Sequence, residues 1–385
     1  MSLASELLIV MPHTKRMNRR IALAAVFLIT LVTGACSSGA HSSRLAYVSM
    51  SSGINAFRLD KISGSVTSIF SSPFVVGNSP YGIVINPSNQ FAYVANQGEN
   101  TISLLKIDAT SGTLKEVLPR TNASQSPGPM IMDPSGNYLF VANQGSNDIS
   151  VFSVASSGAL SPVTQPDGSL TVRVGSIPTT ISMPNSGNFL FVSVPTFSSV
   201  YAFTVSAGAL SPAPGSPVSV ANGLSSVTAS PTGNFVFVPN PSTNTISGYS
   251  VQTSSTQNLL QMLPSSPFAN ICGTTGTGNC SSPFGAAVDP SGKYLYIANY
   301  ATTGVSQYTI NSSSGALTNI STTTPTAGTN PAFIMFDPGG KYVYVANLGS
   351  KSITELKFNS NDGSLSSTGN SILVGNVPRA LAFTH

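Results

Sequence analysis

The stretch Asp-Pro-Ser-Gly-Lys-Tyr-Leu-Tyr-Ile-Ala-Asn at residues 289–299 decides how this chain folds. Its first four residues are typical of a turn, because Asp caps the turn, Pro presets φ, and Gly adopts a conformation that strains other residues. The residues that follow alternate aromatic and aliphatic side chains, which indicates a β-strand. The same turn and strand recur at residues 133–143 and 337–347.

Further copies of this pattern give it a period. Copies end at Asn96, Val194 and Asn240, and Leu-Ala-Tyr-Val-Ser at 45–49 is a seventh strand that lacks the turn. Successive copies lie 46 to 51 residues apart, except for a step of 59 residues between Asn240 and Asn299. A period in this range, with four strands in each unit, predicts a β-propeller.

Each unit supplies the four strands of one blade. A short apolar strand precedes the turn, as at residues 81–85 and 332–336, and we expect it to be innermost and buried on both faces. The strand with the aromatic residues is second. Asn-Thr-Ile-Ser at 100–103 marks the third strand, and Ser-Gly-Ala-Leu at 157–160 marks the fourth. Short connections between these strands predict antiparallel blades.

The two ends of the chain predict how the ring closes. Residues 377–383 form an innermost strand with no second strand after it, whereas the copy at 45–49 is a second strand with no innermost strand before it. The C-terminal strand is therefore expected to complete the first blade, which removes open sheet edges. The prediction is an all-β chain with a single seven-bladed propeller at residues 44–385. An open solenoid of β-repeats is the alternative, but complementary half-units have no purpose there.

The strings Tyr-Val-Ala-Asn, Phe-Val-Ala-Asn and Tyr-Ile-Ala-Asn resemble the Tyr-Val-Thr-Asn repeat of envelope propellers. Together with Ser-Gly-Ala-Leu, the whole unit is similar to that of the seven-bladed lactonase-like family. The resemblance covers about residues 44–385. Cytosolic members of that family open 6-phosphogluconolactone to the acid, so the resemblance implies the fold and suggests a lactone-opening activity. One scaffold can carry unrelated functions, and the site must decide between them.

Composition narrows the functional classes. Hydrophobic residues make up 41% of the chain and charged residues only 7%, which fits a large core and not a disordered chain. The formal net charge of +4 falls to +1 from Cys36 onward, where 12 Lys and Arg face 11 Asp and Glu. Because no basic field or cluster remains, we expect no nucleic-acid partner.

Residues 1–35 are interpreted as a signal peptide. Four basic residues precede an apolar run at 21–32, which is shorter than the roughly 20 residues of a membrane-spanning helix. Leu-Val-Thr-Gly-Ala before Cys36 resembles the bacterial lipobox, which implies lipidation of Cys36 and a short Ser/Gly linker at 36–43. Ordinary cleavage near Ala35 is the alternative. We expect an exported protein of the cell envelope, outer-membrane or periplasmic, that meets the membrane only through this lipid.

The long step contains an insertion at 264–282 with Cys272 and Cys280. An even pair of cysteines in an oxidising compartment predicts a disulfide. A metal site would need more ligands than this segment offers, so no metal is predicted. The insertion precedes an innermost strand, and we interpret it as a rim or lid on the funnel face.

The funnel face is where we expect a ligand, because the chain before each innermost strand and after each second strand lies there. Arg379 directly follows the proline that opens an innermost strand, and it could hold a carboxylate or polarise a lactone carbonyl. Glu99 and Asp148 follow second strands and could act as bases. The candidate ligand-binding residues are amides and aromatics that suit neutral polar groups such as sugars: Tyr81, Asn96, Gln97, Asn143, Gln144, Phe284, Asn299, Tyr300 and Asn347.

Structural roles remain open for all of these residues. The repeated asparagines could cap the turn after the second strand, Arg379 could pair with a structural carboxylate, and Glu99 and Asp148 could be solvated loop residues. The three histidines lie at positions 13, 41 and 385, outside the repeats. A His general base is therefore not expected, and no cofactor motif is present.

Two functional hypotheses follow. The first is an envelope-anchored, monomeric propeller that binds a glycan, a small sugar-like molecule or an envelope protein. The alternative is a hydrolase that opens a sugar lactone, as the family resemblance implies. An exported protein would not meet a phosphorylated cytosolic lactone. The two hypotheses differ in whether Arg379 and a carboxylate converge in one concave pocket.

Overall fold

The computed structural model describes residues 43–60, 65–220, 223–272, 280–320 and 324–385. The interpreted signal peptide at 1–35 and the candidate lipidation site at Cys36 lie outside these residues. The described chain forms seven separate sheets of antiparallel strands. This arrangement confirms the predicted seven-bladed β-propeller, and the blades are numbered below in chain order.

The strands of the first three blades follow one another along the chain. Blade 1 begins with β1 (Ser43–Met50), β2 (Gly53–Asp60) and β3 (Val66–Ser68). Blade 2 contains β4 (Pro80–Ile85), β5 (Phe91–Asn96), β6 (Thr101–Ile107) and β7 (Leu114–Asn122). Blade 3 contains β8 (Pro127–Met132), β9 (Tyr138–Asn143), β10 (Asp148–Val154), β11 (Leu160–Pro162) and β12 (Thr171–Arg173).

The remaining blades follow in the same way. Blade 4 contains β13 (Thr180–Ser182), β14 (Phe189–Val194), the 3₁₀ helix Pro195–Phe197, β15 (Ser199–Ser206), β16 (Ala209–Pro212) and β17 (Val218–Ser219). Blade 5 contains β18 (Thr228–Ala229), β19 (Phe235–Asn240), β20 (Thr245–Val251), β21 (Leu260–Met262) and β22 (Phe268–Ala269). Blade 6 contains β23 (Pro283–Val288), β24 (Tyr294–Asn299), β25 (Val305–Ile310) and β26 (Leu317–Asn319). Blade 7 contains β27 (Pro331–Phe336), β28 (Tyr342–Asn347), β29 (Ser352–Phe358) and β30 (Leu365–Leu373), and β31 (Pro378–Phe383) ends the chain.

In blades 3 to 5 the outermost strand consists of two short pieces. β12, β17 and β22 pair with the third strand of their blade in addition to β11, β16 and β21. In blades 4 and 5 the second piece directly follows Pro217 or Pro267. Proline has no N–H to donate, so it is found at sheet edges and strand ends and not within a continuous ladder.

The C-terminal strand closes the ring as predicted. β31 pairs antiparallel with β1 in the sheet of blade 1, between β1 and the centre. Thr384 and Leu45 extend this pairing with two hydrogen bonds of 3.0 Å. Blade 1 is also joined to blade 7 by a buried ion pair between Arg44 and Asp337. The first and last described strands therefore form one blade.

The hydrophobic core lies between neighbouring blades. Among the described residues, seven apolar clusters each combine side chains of two adjacent blades. Tyrosines of the second strands add hydrogen bonds across these contacts. Tyr47 of blade 1 donates to the Gly112 carbonyl of blade 2 at 2.9 Å, and Tyr93 of blade 2 donates to the Gly158 carbonyl of blade 3 at 2.8 Å.

The innermost strands are less buried than expected. In β5, a second strand, all six residues are buried, whereas β4 and β27 contain half-buried residues. The reason is geometric, because one edge of each innermost strand faces the central channel. Within the described residues, no helix has the length and hydropathy needed to span a bilayer.

Candidate functional site

Bulges at the start of the innermost strands position the side chains of the channel mouth. In β4 the pairing is interrupted directly after Pro80, and in β31 directly after Pro378. Proline fits the first position of a strand because no N–H is needed there. A bulge redirects the residue that it contains, and these two bulges contain Tyr81 and Arg379. Both belong to the upper face, defined here as the face where innermost strands begin and second strands end.

Three of the predicted residues form a connected chain on the upper face, called here the arginine–amide chain. The Arg379 guanidinium lies 3.4 Å from Gln97 Oε1, and Gln97 Nε2 donates to Gln144 Oε1 at 2.8 Å. Gln144 Nε2 then donates to the Pro178 carbonyl at 3.2 Å. The arginine–amide chain therefore runs from blade 1 across blades 2 and 3 to the start of blade 4.

Tyr81 lies beneath the arginine. The guanidinium carbon of Arg379 is 5.5 Å from the centroid of the Tyr81 ring, which is a cation–π contact. Burial raises the pKa of Tyr81, although the charge of Arg379 and a hydrogen bond with Gln144 act in the opposite direction. The phenol therefore keeps its proton at neutral pH and can donate a hydrogen bond.

A cavity of about 210 Å³ opens beside Arg379 and Tyr81. Its other lining side chains are mostly apolar and include Ile83, Met130, Ile181, Ile334, Met335 and Leu381. Neither His nor Asp nor Glu is among the described residues that line it. In the described parts of the chain, no three His, Cys, Asp or Glu side chains lie close enough together to hold a metal ion.

Glu99 and Asp148 do not converge with Arg379, so among the described residues the expected pairing of Arg379 with a carboxylate base is absent from this cavity. Only a hydrolase that works without such a base fits the site. Glu99 forms an ion pair of 2.8 Å with Arg120 toward the outside of blade 2. Asp148 is only 6% exposed, and it accepts a hydrogen bond of 2.8 Å from Asn143 within blade 3. Both carboxylates serve local structure, and neither lines the cavity.

The repeated asparagines are also structural, as the alternative interpretation held. The side chains of these residues are 0% exposed, so they cannot reach a ligand in the channel: Asn96, Asn143, Asn299 and Asn347. In blade 2, Asn96 Nδ2 donates to Thr101 Oγ1 at 3.0 Å and to Ser103 Oγ at 2.9 Å. Each asparagine therefore fastens the end of a second strand to the start of the third.

Asn299 makes this connection differently because blade 6 has Gly304 five residues later, where other blades have a side chain. The predicted disulfide between Cys272 and Cys280 is present and fills this space. Asn299 Nδ2 lies 3.0 Å from Cys280 Sγ. Both cysteines are buried. Residues 273–279 lie outside the described residues, so the rim or lid interpretation stays a prediction.

Phe284 and Tyr300 come together at the upper end of blade 6, with ring centroids 5.4 Å apart. They do not line the cavity beside Arg379. Phe284 stands in a bulge directly after Pro283, as Arg379 does after Pro378. The same backbone device thus places an aromatic residue in one blade and a cation in another.

The innermost strands of blades 4, 5 and 6 (β13, β18 and β23) are joined by side-chain hydroxyls, and we call them the hydroxyl-bonded wall. Thr180 Oγ1 accepts from the Val227 N–H at 2.9 Å, and Thr228 Oγ1 donates to the Ala286 carbonyl at 2.8 Å. Equivalent bonds join two more pairs: Ser182 with Ala229, and Ser226 with Phe284.

The innermost strands of blades 7, 1, 2 and 3 (β27, β31, β4 and β8) form the apolar wall. Met130 and Met335 line the cavity there, and sequence reasoning did not select them as site residues. The signal was available, because methionine in an innermost strand is a flexible side chain that often lines adaptable binding surfaces. Thr179 and Thr180 at the edge of the cavity were missed as well.

The sequence matches a known protein family that has the same fold as the structure. A family model described as "Lactonase, 7-bladed beta-propeller" matches residues 40–174 and 272–382. A search of curated proteins finds no match.

Several solved structures share the fold at about 20% identity. A putative 6-phosphogluconolactonase from Bacteroides fragilis has a TM-score of 0.73 at 20% identity, with 89% of this chain and 98% of that chain covered. The periplasmic gluconolactonase of Pseudomonas aeruginosa has a TM-score of 0.70 at 20% identity, with 89% and 99% covered. A putative 6-phosphogluconolactonase from Bacteroides uniformis gives the same values as the latter.

Proposed function

Because this chain belongs to the lactonase family of seven-bladed β-propellers, we propose that it hydrolyses a lactone in the cavity beside Arg379. The observation that carries the proposal is the position of Arg379. A bulge holds its guanidinium at the mouth of an apolar cavity, above Tyr81 and free of any carboxylate among the described residues that line this cavity. A cation in such surroundings can stabilise a developing oxyanion far better than in water.

The chemistry needs one water molecule and no cofactor. Water attacks the lactone carbonyl carbon, and the carbonyl oxygen takes on negative charge while it faces the Arg379 guanidinium. The bond between the carbonyl carbon and the ring oxygen then breaks. Of the two protons of the attacking water, one goes to the ring oxygen, which becomes the hydroxyl group of a hydroxy acid, and the other is released to solvent as the product ionises to a carboxylate. The carboxylate product keeps the same partner, because guanidinium binds carboxylates well.

Tyr81 is the proposed second donor. Burial keeps its phenol protonated, so it can donate a hydrogen bond to the ring oxygen as that oxygen leaves. The described residues that line the cavity include no carboxylate or imidazole to act as general base. The nucleophile is therefore water or hydroxide from solvent, and the rate should rise with pH.

We also propose that the protein is exported. The support comes from the basic and apolar segments before Cys36, from the lipobox-like residues beside it, and from the disulfide between Cys272 and Cys280. Structural disulfides are typical of oxidising compartments. Mass spectrometry of the mature protein for a lipid on Cys36 tests this proposal, and an unmodified Cys36 in the mature chain would count against the anchor.

A second candidate function is binding of a glycan or a protein on the upper face. Two apolar side chains of blade 4 favour it, since Ile177 is 48% exposed and Phe197 is 52% exposed. Exposed aromatic side chains are common at recognition surfaces. Replacement of Phe197 by Ser should weaken such binding and leave lactone hydrolysis unchanged.

The activity itself is tested with the purified protein and a panel of five- and six-membered lactones. Release of acid is followed by pH-stat titration, with the spontaneous rate subtracted. We expect at least one lactone to be opened well above its spontaneous rate, and that rate should depend on Arg379. A panel hydrolysed only at spontaneous rates would contradict the proposed function.

A further inference from the structure

The cavity beside Arg379 has a polar mouth and an apolar interior. Arg379 and Tyr81 follow the first prolines of their strands and stand at the mouth. Further along the innermost strands, the lining side chains are apolar, as with Met130, Ile334 and Met335. A ligand that fills this cavity must therefore place a polar group at the mouth and an apolar group inside.

The hydroxyl groups near the interior are already engaged within the protein. Thr180 and Thr179 both lie within 3.0 Å of Ser193 Oγ, at 2.7 and 3.0 Å. The hydroxyl of Tyr344 donates to the buried Glu355 carboxylate at 2.7 Å, so Tyr344 presents its ring and not its hydroxyl to the cavity. These groups are not free to receive the hydroxyls of a sugar.

A sugar lactone fits this interior poorly. It carries several hydroxyl groups, and each would lose its bonds to water on entering. A buried polar group without a partner weakens binding by about tenfold or more. The side chain of Ile334 offers no such partner, and the thioether of Met335 is only a weak acceptor.

An alkyl chain fits the same interior well. A volume of about 210 Å³ holds roughly seven groups of about 30 Å³ each, so an alkyl chain of up to about seven carbons fits only when the lactone ring stays outside this volume, at the mouth. Burial of each methylene improves binding by about fourfold. Methionine side chains adapt to the shape of an apolar ligand, and Met130 and Met335 both line the cavity.

We propose that the preferred substrate is a lactone with an unbranched alkyl chain of about five to seven carbons, opened to a hydroxy fatty acid. This inference rests on the lactone hydrolysis proposed above and adds the class of substrate. The lactone ring lies at the mouth with its carbonyl oxygen toward Arg379, and the alkyl chain extends along the apolar wall.

The experiment compares six-membered lactones that differ only in their substituent. The series is δ-valerolactone, δ-octalactone, δ-decalactone and δ-dodecalactone, with glucono-δ-lactone as the hydroxylated reference. We expect kcat/KM, divided by the spontaneous rate constant, to rise two- to fourfold for each added methylene until the cavity is full. The value for glucono-δ-lactone should lie at least tenfold below that for δ-decalactone.

A pair of matched variants locates the effect. Met335→Gln places an amide in the cavity wall, whereas Met262→Gln makes the same change on the outer strand β21, where Met262 is 44% exposed. Met335→Gln should lower kcat/KM for δ-decalactone at least tenfold more than it lowers kcat/KM for δ-valerolactone. Met262→Gln should change neither value.

The outcomes separate this inference from the proposed function. If lactones are opened but glucono-δ-lactone is preferred, or chain length has no effect, the inference is wrong and the lactonase function stands. If no lactone is opened, the lactonase function is wrong, and calorimetric titration with octanoate and gluconate tests the ligand class. Octanoate binding at least tenfold tighter than gluconate, and weakened by Met335→Gln, would support the preference for alkyl ligands. Equal or weaker octanoate binding would overturn it.

Discussion

The two walls of the central channel use the same kind of strand for different purposes. In the hydroxyl-bonded wall, Ser and Thr side chains of blades 4 to 6 form hydrogen bonds with backbone groups of the neighbouring blade. Thr228, for example, donates to the Ala286 carbonyl at 2.8 Å. In the apolar wall, blades 7, 1, 2 and 3 present side chains such as Met335 that make no hydrogen bonds, and a cavity remains beside Arg379.

The two walls differ in whether their polar groups are free to bind a substrate. A hydroxyl that already holds a neighbouring strand cannot bind a substrate without giving up a structural bond. A cation beside an apolar cavity has capacity left for a ligand, since a guanidinium has five N–H donors. Substitution of a bonded hydroxyl that does not line the cavity, such as Thr228, should therefore change stability, and substitutions of residues that line the cavity should change activity.

Replacement of Arg379 by Met should have the largest effect. Loss of an oxyanion-stabilising donor costs about 10²–10³ in kcat, and we expect a loss of this size in kcat/KM for a lactone substrate. The thermal midpoint should stay close to that of the parent protein. Arg120→Met, which removes a cation of blade 2 away from the cavity, is the matched control and should keep its activity. If Arg379→Met lowers kcat/KM less than fivefold, Arg379 does not stabilise the oxyanion.

The second prediction concerns the disulfide at the upper end of blade 6, which adjoins the hydroxyl-bonded wall and is expected to serve stability. Replacing both Cys272 and Cys280 by Ser should lower the free energy of unfolding by about 2–3 kcal/mol, because a closed loop of this length restricts the unfolded chain. The measurement is urea unfolding followed by circular dichroism. Activity at 25 °C should stay within twofold, and a large loss in activity of the folded double variant would place the loop in the site.

Tyr81 gives a smaller effect with a pH signature. Tyr81→Phe should lower kcat/KM about tenfold, the value of one hydrogen bond of roughly 1.4 kcal/mol. Burial raises the pKa of Tyr81 above its ordinary value near 10, so the donor is present at lower pH and is lost only as the pH rises through the folded-state pKa. The catalysed rate should therefore show no fall between pH 7 and about pH 10. A fall centred below pH 9 would contradict this role.

Thr228→Val tests the hydroxyl-bonded wall directly. The change is nearly isosteric and removes the donor to the Ala286 carbonyl, so unfolding should become easier by about 1 kcal/mol. kcat/KM should not change. Thr309→Val serves as the control, because it removes a longer hydrogen bond of 3.4 Å on the third strand of blade 6. It should lower the free energy of unfolding by less than Thr228→Val does. Equal stabilities of Thr228→Val and the parent protein would argue against the structural role of this wall.

Glu99→Gln should have the smallest effect. Glu99 pairs with Arg120 at a partly exposed site, and such pairs contribute at most about 1 kcal/mol to stability. Arg120 also keeps its second partner, Glu116. We expect kcat/KM within twofold of the parent value. A loss of a hundredfold or more in kcat/KM would indicate that Glu99 acts as a catalytic base.

The fold was largely predictable from the sequence because each blade corresponds to one copy of a sequence repeat. The turn at residues 289–292 and the strand after it recur every 46 to 51 residues with one step of 59, and the innermost strand at residues 377–383 is expected to pair with β1, as it does. The half-burial of the innermost strands was not predicted. Their apolar residues indicate burial, but composition alone does not show that one edge faces a channel.

The site was predictable only in part. Tyr81, Gln97, Gln144 and Arg379 follow a strand boundary on the upper face, and the structure brings them together. Asn96 occupies an equivalent boundary position yet is buried. Whether a residue at a strand end points into the channel or into the blade depends on the bulge and on the third strand, and the strand pattern does not specify either.

The position of a bound product would show whether the cavity beside Arg379 is the ligand site. A crystal structure with 5-hydroxydecanoate, the product of δ-decalactone, would show which wall the ligand occupies. We expect a carboxylate within hydrogen-bond distance of the Arg379 guanidinium and an alkyl chain against Met335 and Ile334. A product bound against the hydroxyl-bonded wall, or on the exposed surface near Phe197 with the Arg379 cavity empty, would contradict it.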